Sequence, residues 1–427
     1  MMSFFFRLCL LFFAIASMAI AGTVEANNAV TPYYQAIESA ASKDRVLHHM
    51  RAGVVAFEQQ QYAKASSSFD FILDQIELIY TDDENAAKAR SLWYGEDQKD
   101  FKGEPYERVM AYYYRGLLYL REGDYDNAMA SFKGGILQDA FAEEQQFRCD
   151  FASIIYLTGW AYQLRGKYKQ AKEYYQEAIQ LRPDLTMPHP DDNVLIIAEL
   201  GKSPRKVADG IGHYELKFRK GKRFYEKGVN ITVNNIPYPL YPLEDIYFQA
   251  TTRGGRAVDK VIKNKVAFKK NAASIGNVLS TAGQSAILLA SAMDNSSNLG
   301  NIGLGIGLLG AVSTIASANA NARADTRYWD NLPNSLHIST ANIAESKDHQ
   351  FAIYYYDRHG KQINRLQKKI SLVYDDKGNG LLWFRSRSSL VKIPELTHKK
   401  SQEKSNDTNQ TFDNSWDDSD PFGLFDD

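Results

Sequence analysis

"LTGWAYQLRGKYKQAKEYYQEAIQLRPD", residues 157–184, sets small residues at Gly159 and Ala171, aromatics at Tyr162, Tyr168 and Tyr175, and a turn glycine at Gly166. This spacing predicts two antiparallel helices, small where they cross closely and tyrosine-filled between. Pro183 follows the second helix, which it cannot continue. The same order recurs in "RGLLYLREGDYDNAMASFKGGIL" on Gly116, Tyr119, Gly123, Tyr125, Ala128 and Phe132, with Gly135 in place of the later alanine. A weaker copy upstream, "RAGVVAFEQQQYAKASSSFDFIL", keeps Gly53, Tyr62, Ala65 and Phe69.

These spacings resemble the tetratricopeptide (TPR) repeat. Its period is about 34 residues, whereas Gly53 to Gly116 spans 63 and Gly116 to Gly159 spans 43. Longer second helices or connectors such as "YTDDENAAKARSLWYGEDQKDFKGE" account for the excess. A TPR stack presents a concave surface lined by its first helices. That face carries Phe57, Tyr113, Leu117, Tyr156, Trp160 and Gln163, together with Met50, Val54 and Leu120. It lacks the basic and amide side chains that clamp a terminal carboxylate. An apolar helix or extended apolar segment of a partner suits it better, with Trp160 and Tyr156 as anchors; the competing occupant is another part of this same chain.

Charge is segregated along the 427 residues although the whole chain nets −1. Residues 31–200 hold 18 basic against 27 acidic side chains, residues 201–270 hold 16 against 6, and residues 397–427 hold 3 against 8. Separate modules touching through opposite fields fit this pattern. The basic, aromatic-rich middle favours an anionic membrane or glycan surface, or the acidic repeat face, over nucleic acid. At the N-terminus Arg7 precedes the 13-residue apolar run "LCLLFFAIASMAI" and small-residue cleavage sites after Ala21 or Ala26, the pattern of a secretory signal over residues 1–26. Cys9 has no lipobox around it. With the signal removed only Cys149 remains, so a packed core rather than an intrachain disulfide must supply stability.

Past the repeats, "NVLIIAELGKSP" reads as a short strand or as a helix ending at Gly201. Val229, Ile231 and Val233 alternate towards a turn at Asn234–Asn235, and Pro237, Pro239 and Pro242 then predict an extended loop. Uncharged runs at Asn271–Met293 and Asn295–Ala322 fit a Gly/Ala-rich helical hairpin. There Gly303 and Gly307 share one helical face and admit a close neighbour, from the hairpin itself or from a second copy. "SLHIST", "QFAIYYYD", "KKISLVYD" and "GLLWFRS" read as strands, the last two joined by the turn "DDKGNG". The expected fold is α+β, mainly α: repeats over 31–200, a basic strand and loop over 201–253, the hairpin over 254–330, a small antiparallel sheet over 331–396 and a disordered acidic tail over 397–427.

Repeats, "LIIAELGKSP", the hairpin and "ADTRYWDNLPNSLHI" together resemble a family of bacterial exported TPR proteins, many of them lipoproteins. The likeness covers most of 45–390, and its most specific residues are Asp325, Arg327, Trp329, Leu332 and Pro333. It implies an envelope location and no particular activity. Sequence chemistry agrees with a binding protein rather than an enzyme. His48 and His49 are adjacent and point to different helix faces, "HPDD" at His189 suits a surface loop, and there is no HExxH, GxSxG or P-loop. Gly305, Gly307 and Gly310 spell GxGxxG without the preceding strand that a dinucleotide fold needs. The expectation is a non-catalytic, cofactor-free and metal-free TPR scaffold of the periplasm or envelope. The alternatives are a membrane-associated or oligomer-forming protein acting through its hairpin and, further off, an enzyme built from scattered polar residues.

Overall fold

Three glycines set the helical half. A β-carbon on Gly53 would lie 2.9 Å from the Phe69 ring, on Gly116 2.2 Å from Phe132, and on Gly159 2.9 Å from Tyr175. The same close crossing is thus built three times. A computed structural model describes residues 29–77, 100–139, 150–209, 215–252, 325–346, 348–364 and 370–393. After helix α1 (residues 29–39), the pairs are α2 (Arg45–Glu58) with α3 (Tyr62–Glu77), α4 (Pro105–Arg121) with α5 (Tyr125–Asp139), and α6 (Ala152–Leu164) with α7 (Tyr168–Leu181). Gln60, Gly123 and Gly166 turn the chain within each pair at φ of 59°, 71° and 70°. Gly135 lets α5 approach Tyr112 and Ile154, where a β-carbon would stand 3.3 Å from each. Glu104 and Glu107 form a capping box at the start of α4.

The sheet is larger than the sequence suggests, and it is mixed. Its strands are β1 (Val194–Leu200), β4 (Gly228–Val233), β5 (Ile236–Asp245), β6 (Ser335–Ala341), β7 (Phe351–Tyr356), β8 (Gln362–Asn364), β9 (Leu372–Tyr374) and β10 (Gly380–Arg385), in the order β8-β7-β4-β5-β6-β1-β10-β9. β1 runs parallel to β10 and antiparallel to β6. A separate hairpin pairs β2 (Arg205–Asp209) with β3 (Glu215–Arg219), and helix α8 (Ile246–Thr252) follows β5.

Of its two readings "VLIIAEL" takes the strand, and it joins the sheet although it falls within the span 31–200 expected for the repeats. Every one of its residues is buried, as befits a central strand covered on both faces. The sheet also takes β5 from the stretch expected to be an extended loop, while β4 forms where Val229, Ile231 and Val233 alternate. Finally, Pro237, Pro239 and Pro242 lie within a strand. From the Val233–Ile236 turn pair, Pro237 and Pro239 fall at positions that exchange no hydrogen bonds with β4. Their missing N–H groups face the side where β6 has not yet begun to pair, and a register shift follows Pro242. Proline is tolerated at such unpaired edges and bulges. The turn at Asn234–Asn235 and the β9–β10 hairpin form as read.

β1 divides two cores. Leu195 and Ile197 join the helical core, while Val194, Ile196, Ala198 and Leu200 face a second cluster with Val229, Ile231, Ile353, Tyr355, Leu382 and Phe384. The sheet curls around that second cluster. The Tyr374 hydroxyl on β9 lies 3.1 Å from His349 Nε2 beside β7, so the two halves of the sheet meet.

Candidate interaction surface

Helix α6, "ASIIYLTGWAYQL", carries no charge and is buried along almost its whole length. A helix apolar all round has neighbours on every side. Here α5 and α7 cover one side and the sheet covers the other. All six residues expected to line a partner groove are brought together, and all are buried: Phe57 3%, Tyr113 0%, Leu117 0%, Tyr156 2%, Trp160 1% and Gln163 5% exposed. Trp160 borders a void of about 10 Å³ with Leu195 of β1 and Leu381 of β10. Phe57 meets Trp383 edge to face at 4.7 Å. The Tyr156 hydroxyl donates to Thr186 O at 3.1 Å, and Gln163 Nε2 to His189 O at 2.9 Å. Parts of this same chain, β1, β10 and the loop at 186–189, therefore cover the face expected to take a partner segment.

A carboxylate fixes that fit. Glu199 of β1 is 1% exposed and accepts from the Tyr113 hydroxyl at 3.2 Å, the Tyr114 hydroxyl at 2.9 Å and Trp383 Nε1 at 3.0 Å. Arg385 Nε pairs with it at 3.1 Å. Burial pushes the Glu199 carboxyl above its ordinary range, while Arg385 and the three donors pull it back. A buried charge is tolerable when paired and bonded in this way. An acidic residue inside an otherwise aliphatic strand marks this position in the sequence.

The "ADTRYWDNLPN" segment straps helices to sheet. Arg327 Nη1 meets Asp44 at 2.7 Å, Asp330 meets Arg51 Nε at 2.7 Å, and Trp329 N donates to Glu107 at 2.6 Å. The Trp329 ring is fully buried beside Tyr114 and Phe69. Asn331 Nδ2 bridges Arg51 O at 3.1 Å and Ser389 O at 3.0 Å. Elsewhere Ser153 N of α6 donates to the buried Glu244 carboxylate at 3.2 Å, and Arg182 pairs with it at 2.8 Å.

Beside this closed face lies an open one. The α2–α3 turn, the end of α4 and the β9–β10 hairpin frame a cleft of about 60 Å³, lined among others by Phe57, Glu58, Tyr62, Arg121, Trp383 and Arg385. Its aromatic and basic lining suits a side chain of a partner segment. Arg121 stacks 3.6 Å from the Tyr62 ring centroid, and Gln60 Nε2 donates to Ser371 at 2.9 Å. Arg121 Nε and Arg385 Nη1 are buried without hydrogen-bond acceptors, a costly state for a donor. His189 sits in an exposed loop 3.5 Å from Asp191. His49 stacks on Phe71 at 4.1 Å, and burial lowers its imidazole to about 4.

The hairpin residues Gly303 and Gly307, the apolar N-terminal run, Cys149 and the acidic tail lie outside the described residues. No curated protein matches the chain. Models of the tetratricopeptide repeat match residues 152–185 and 111–139, which coincide with α6–α7 and α4–α5. The α2–α3 pair shares their glycine-to-aromatic contact. This is a TPR-containing protein, built on repeats of the kind that serve as protein-interaction scaffolds.

Proposed function

We propose that the chain is a non-catalytic interaction scaffold of the bacterial envelope, its repeat stack braced from within by its own sheet. Its partner engages the cleft beside Tyr62 and Arg121. One observation carries this reading: the six concave-face residues are buried within the chain, and the cleft is an open concave feature adjoining the stack among the described residues. Tyr, Trp and Arg dominate interface energetics, and Tyr62, Trp383 and Arg121 meet here. A partner segment with an apolar side chain for the aromatics and an acceptor for Arg121 Nε fits. Neither cofactor nor metal is required. The envelope location draws on Arg7, the apolar run behind it and the small residues at Ala21 and Ala26.

Affinity purification from crosslinked envelopes tests the partner site. Arg121→Ala should cut capture of a recurrent partner at least tenfold, while stability stays within about 1 kcal/mol of wild type. Equal capture by Arg121→Ala and Tyr62→Ala would remove the cleft from consideration. Recovery of the intact chain in the cytoplasm alone would remove the location.

A further inference from the structure

The β2–β3 hairpin sorts its side chains onto two faces. Inward, Lys206 pairs with Glu104 at 2.5 Å and Phe218 meets Tyr106 edge to face at 5.8 Å. Outward, Arg205 and Arg219 stand directly opposite one another, and like charges so placed are destabilising. The following loop adds to this face instead of neutralising it. Arg205 Nε donates to Lys220 O at 3.1 Å, and a β-carbon on Gly221 would lie 2.4 Å from Lys202 O. Lys202, Arg205, Arg219 and Lys220 therefore belong to one surface, continued by exposed Lys222 and Arg223. Lys202, Arg219, Lys222 and Arg223 have no carboxylate partner among the described residues. The nearby Asp245 carboxylate is engaged in capping α8, accepting from Tyr247 N at 2.9 Å and Phe248 N at 3.1 Å.

Aromatic tips accompany the charge. Tyr225 is 72% and Phe248 39% exposed, and Lys220 lies 5.6 Å from the Tyr247 ring centroid. Burial and the charge of Lys220 hold the Lys227 ammonium below its ordinary range. Arg223 holds φ at 61°, which disfavours any side chain.

We propose that this basic, aromatic-tipped face docks on a bilayer surface rich in anionic phospholipid. It is the outer face of a two-stranded sheet rather than a cleft, so it fits an extended polyanionic plane better than a single small anion. Basic stems and aromatic rings are the side chains that settle at headgroup level. In sequence the same character continues through Arg253, Arg256, Lys260, Lys263 and Lys265, just before the uncharged run from Asn271. That continuation favours lipid over nucleic acid. The inference uses the envelope reading only for where such a surface is met.

Vesicle flotation of the full chain tests it, with phosphatidylcholine alone against phosphatidylcholine mixed with phosphatidylglycerol. The chain should float with the anionic vesicles and lose them as salt rises. Each basic residue removed should weaken binding roughly fivefold, so Arg219→Gln with Lys222→Gln lowers it roughly twenty-five-fold. Arg223→Gly guards against misfolding, because it removes a charge while relaxing the backbone. It should show the fivefold loss with a melting temperature no lower than wild type. Tyr225→Ala with Phe248→Ala should weaken binding further. Equal flotation with neutral vesicles, or flotation unmoved by these substitutions, overturns the proposal. So does capture of duplex DNA or polyglutamate while anionic vesicles stay unbound. Vesicle binding by a chain found outside the envelope would sink the location and leave the face intact.

Discussion

Glu107 meets two opposing demands. It must accept from Glu104 N at 2.6 Å, from Trp329 N at 2.6 Å and from the Tyr106 hydroxyl at 3.3 Å, yet it has no solvent access. Burial dominates and raises its carboxyl to about 7, against the pull of Lys206; Glu244 is raised to about 7 by the same cause. Between the unfolded value of 4.5 and about 7 the folded chain holds a proton that the unfolded chain has released, so this group's contribution to stability falls as pH rises. His337 works the other way. Burial lowers it to about 4, so its contribution grows with pH up to the ordinary histidine range, and the two trends offset in the wild type. Glu107→Gln exposes one of them. Its amide faces the Glu104 N–H, a penalty independent of pH, but the wild-type advantage should shrink by up to about 3 kcal/mol from pH 4.5 to 7.5. Urea melts of both proteins at the two pH values measure this, and a constant gap would refute the assignment.

At the scale of elements, α6 shows how a repeat helix becomes core. Trp160→Ala removes a ring wedged between Leu120, Leu164 and two strands, at a cost of about 3–5 kcal/mol. Urea denaturation should show that loss; a variant of wild-type stability would mean that the sheet does not cover the groove. The helix pairs were legible because glycine and aromatic positions recur at helical spacing. The occupant of the groove was harder to read. "VLIIAEL" has no period to distinguish helix from strand, and its parallel partner β10 lies far along the chain. The β5 prolines argued against a strand until the register showed their unpaired side. One clue was available: "ASIIYLTGWAYQL" has no polar face to offer solvent, whereas α7 buries only Ala171, Tyr175 and Ala178. The six concave residues lie buried together, but residue type alone does not distinguish a partner's apolar segment from one's own strand. The Arg121 cleft was not legible, since its walls come from α2, α4 and β9–β10.

At the scale of the whole molecule, helices and sheet share a core through Glu199 and Arg385. Removing the guanidinium in Arg385→Met strands a buried carboxylate, and such losses cost about 3–5 kcal/mol. Helical circular dichroism and tryptophan fluorescence should shift together in that variant, since Trp383 and the α4 tyrosines hold the same carboxylate. Two separated transitions would show that repeats and sheet fold apart. The parallel pairing of β1 with β10 also sets a schedule. Val194 pairs with Gly380, so a ribosome must make everything between them before the strand is flanked on both sides. At ordinary translation rates that interval lasts roughly ten to forty seconds. Throughout it Trp160 and Phe57 lack their β10 neighbours Leu381 and Trp383 and are ready to be gripped by a holdase or by one another. The late strand is therefore a kinetic hazard as well as a lid, and any factor that shields nascent apolar surface should raise the folded yield of this protein more than that of a TPR stack whose concave face is polar.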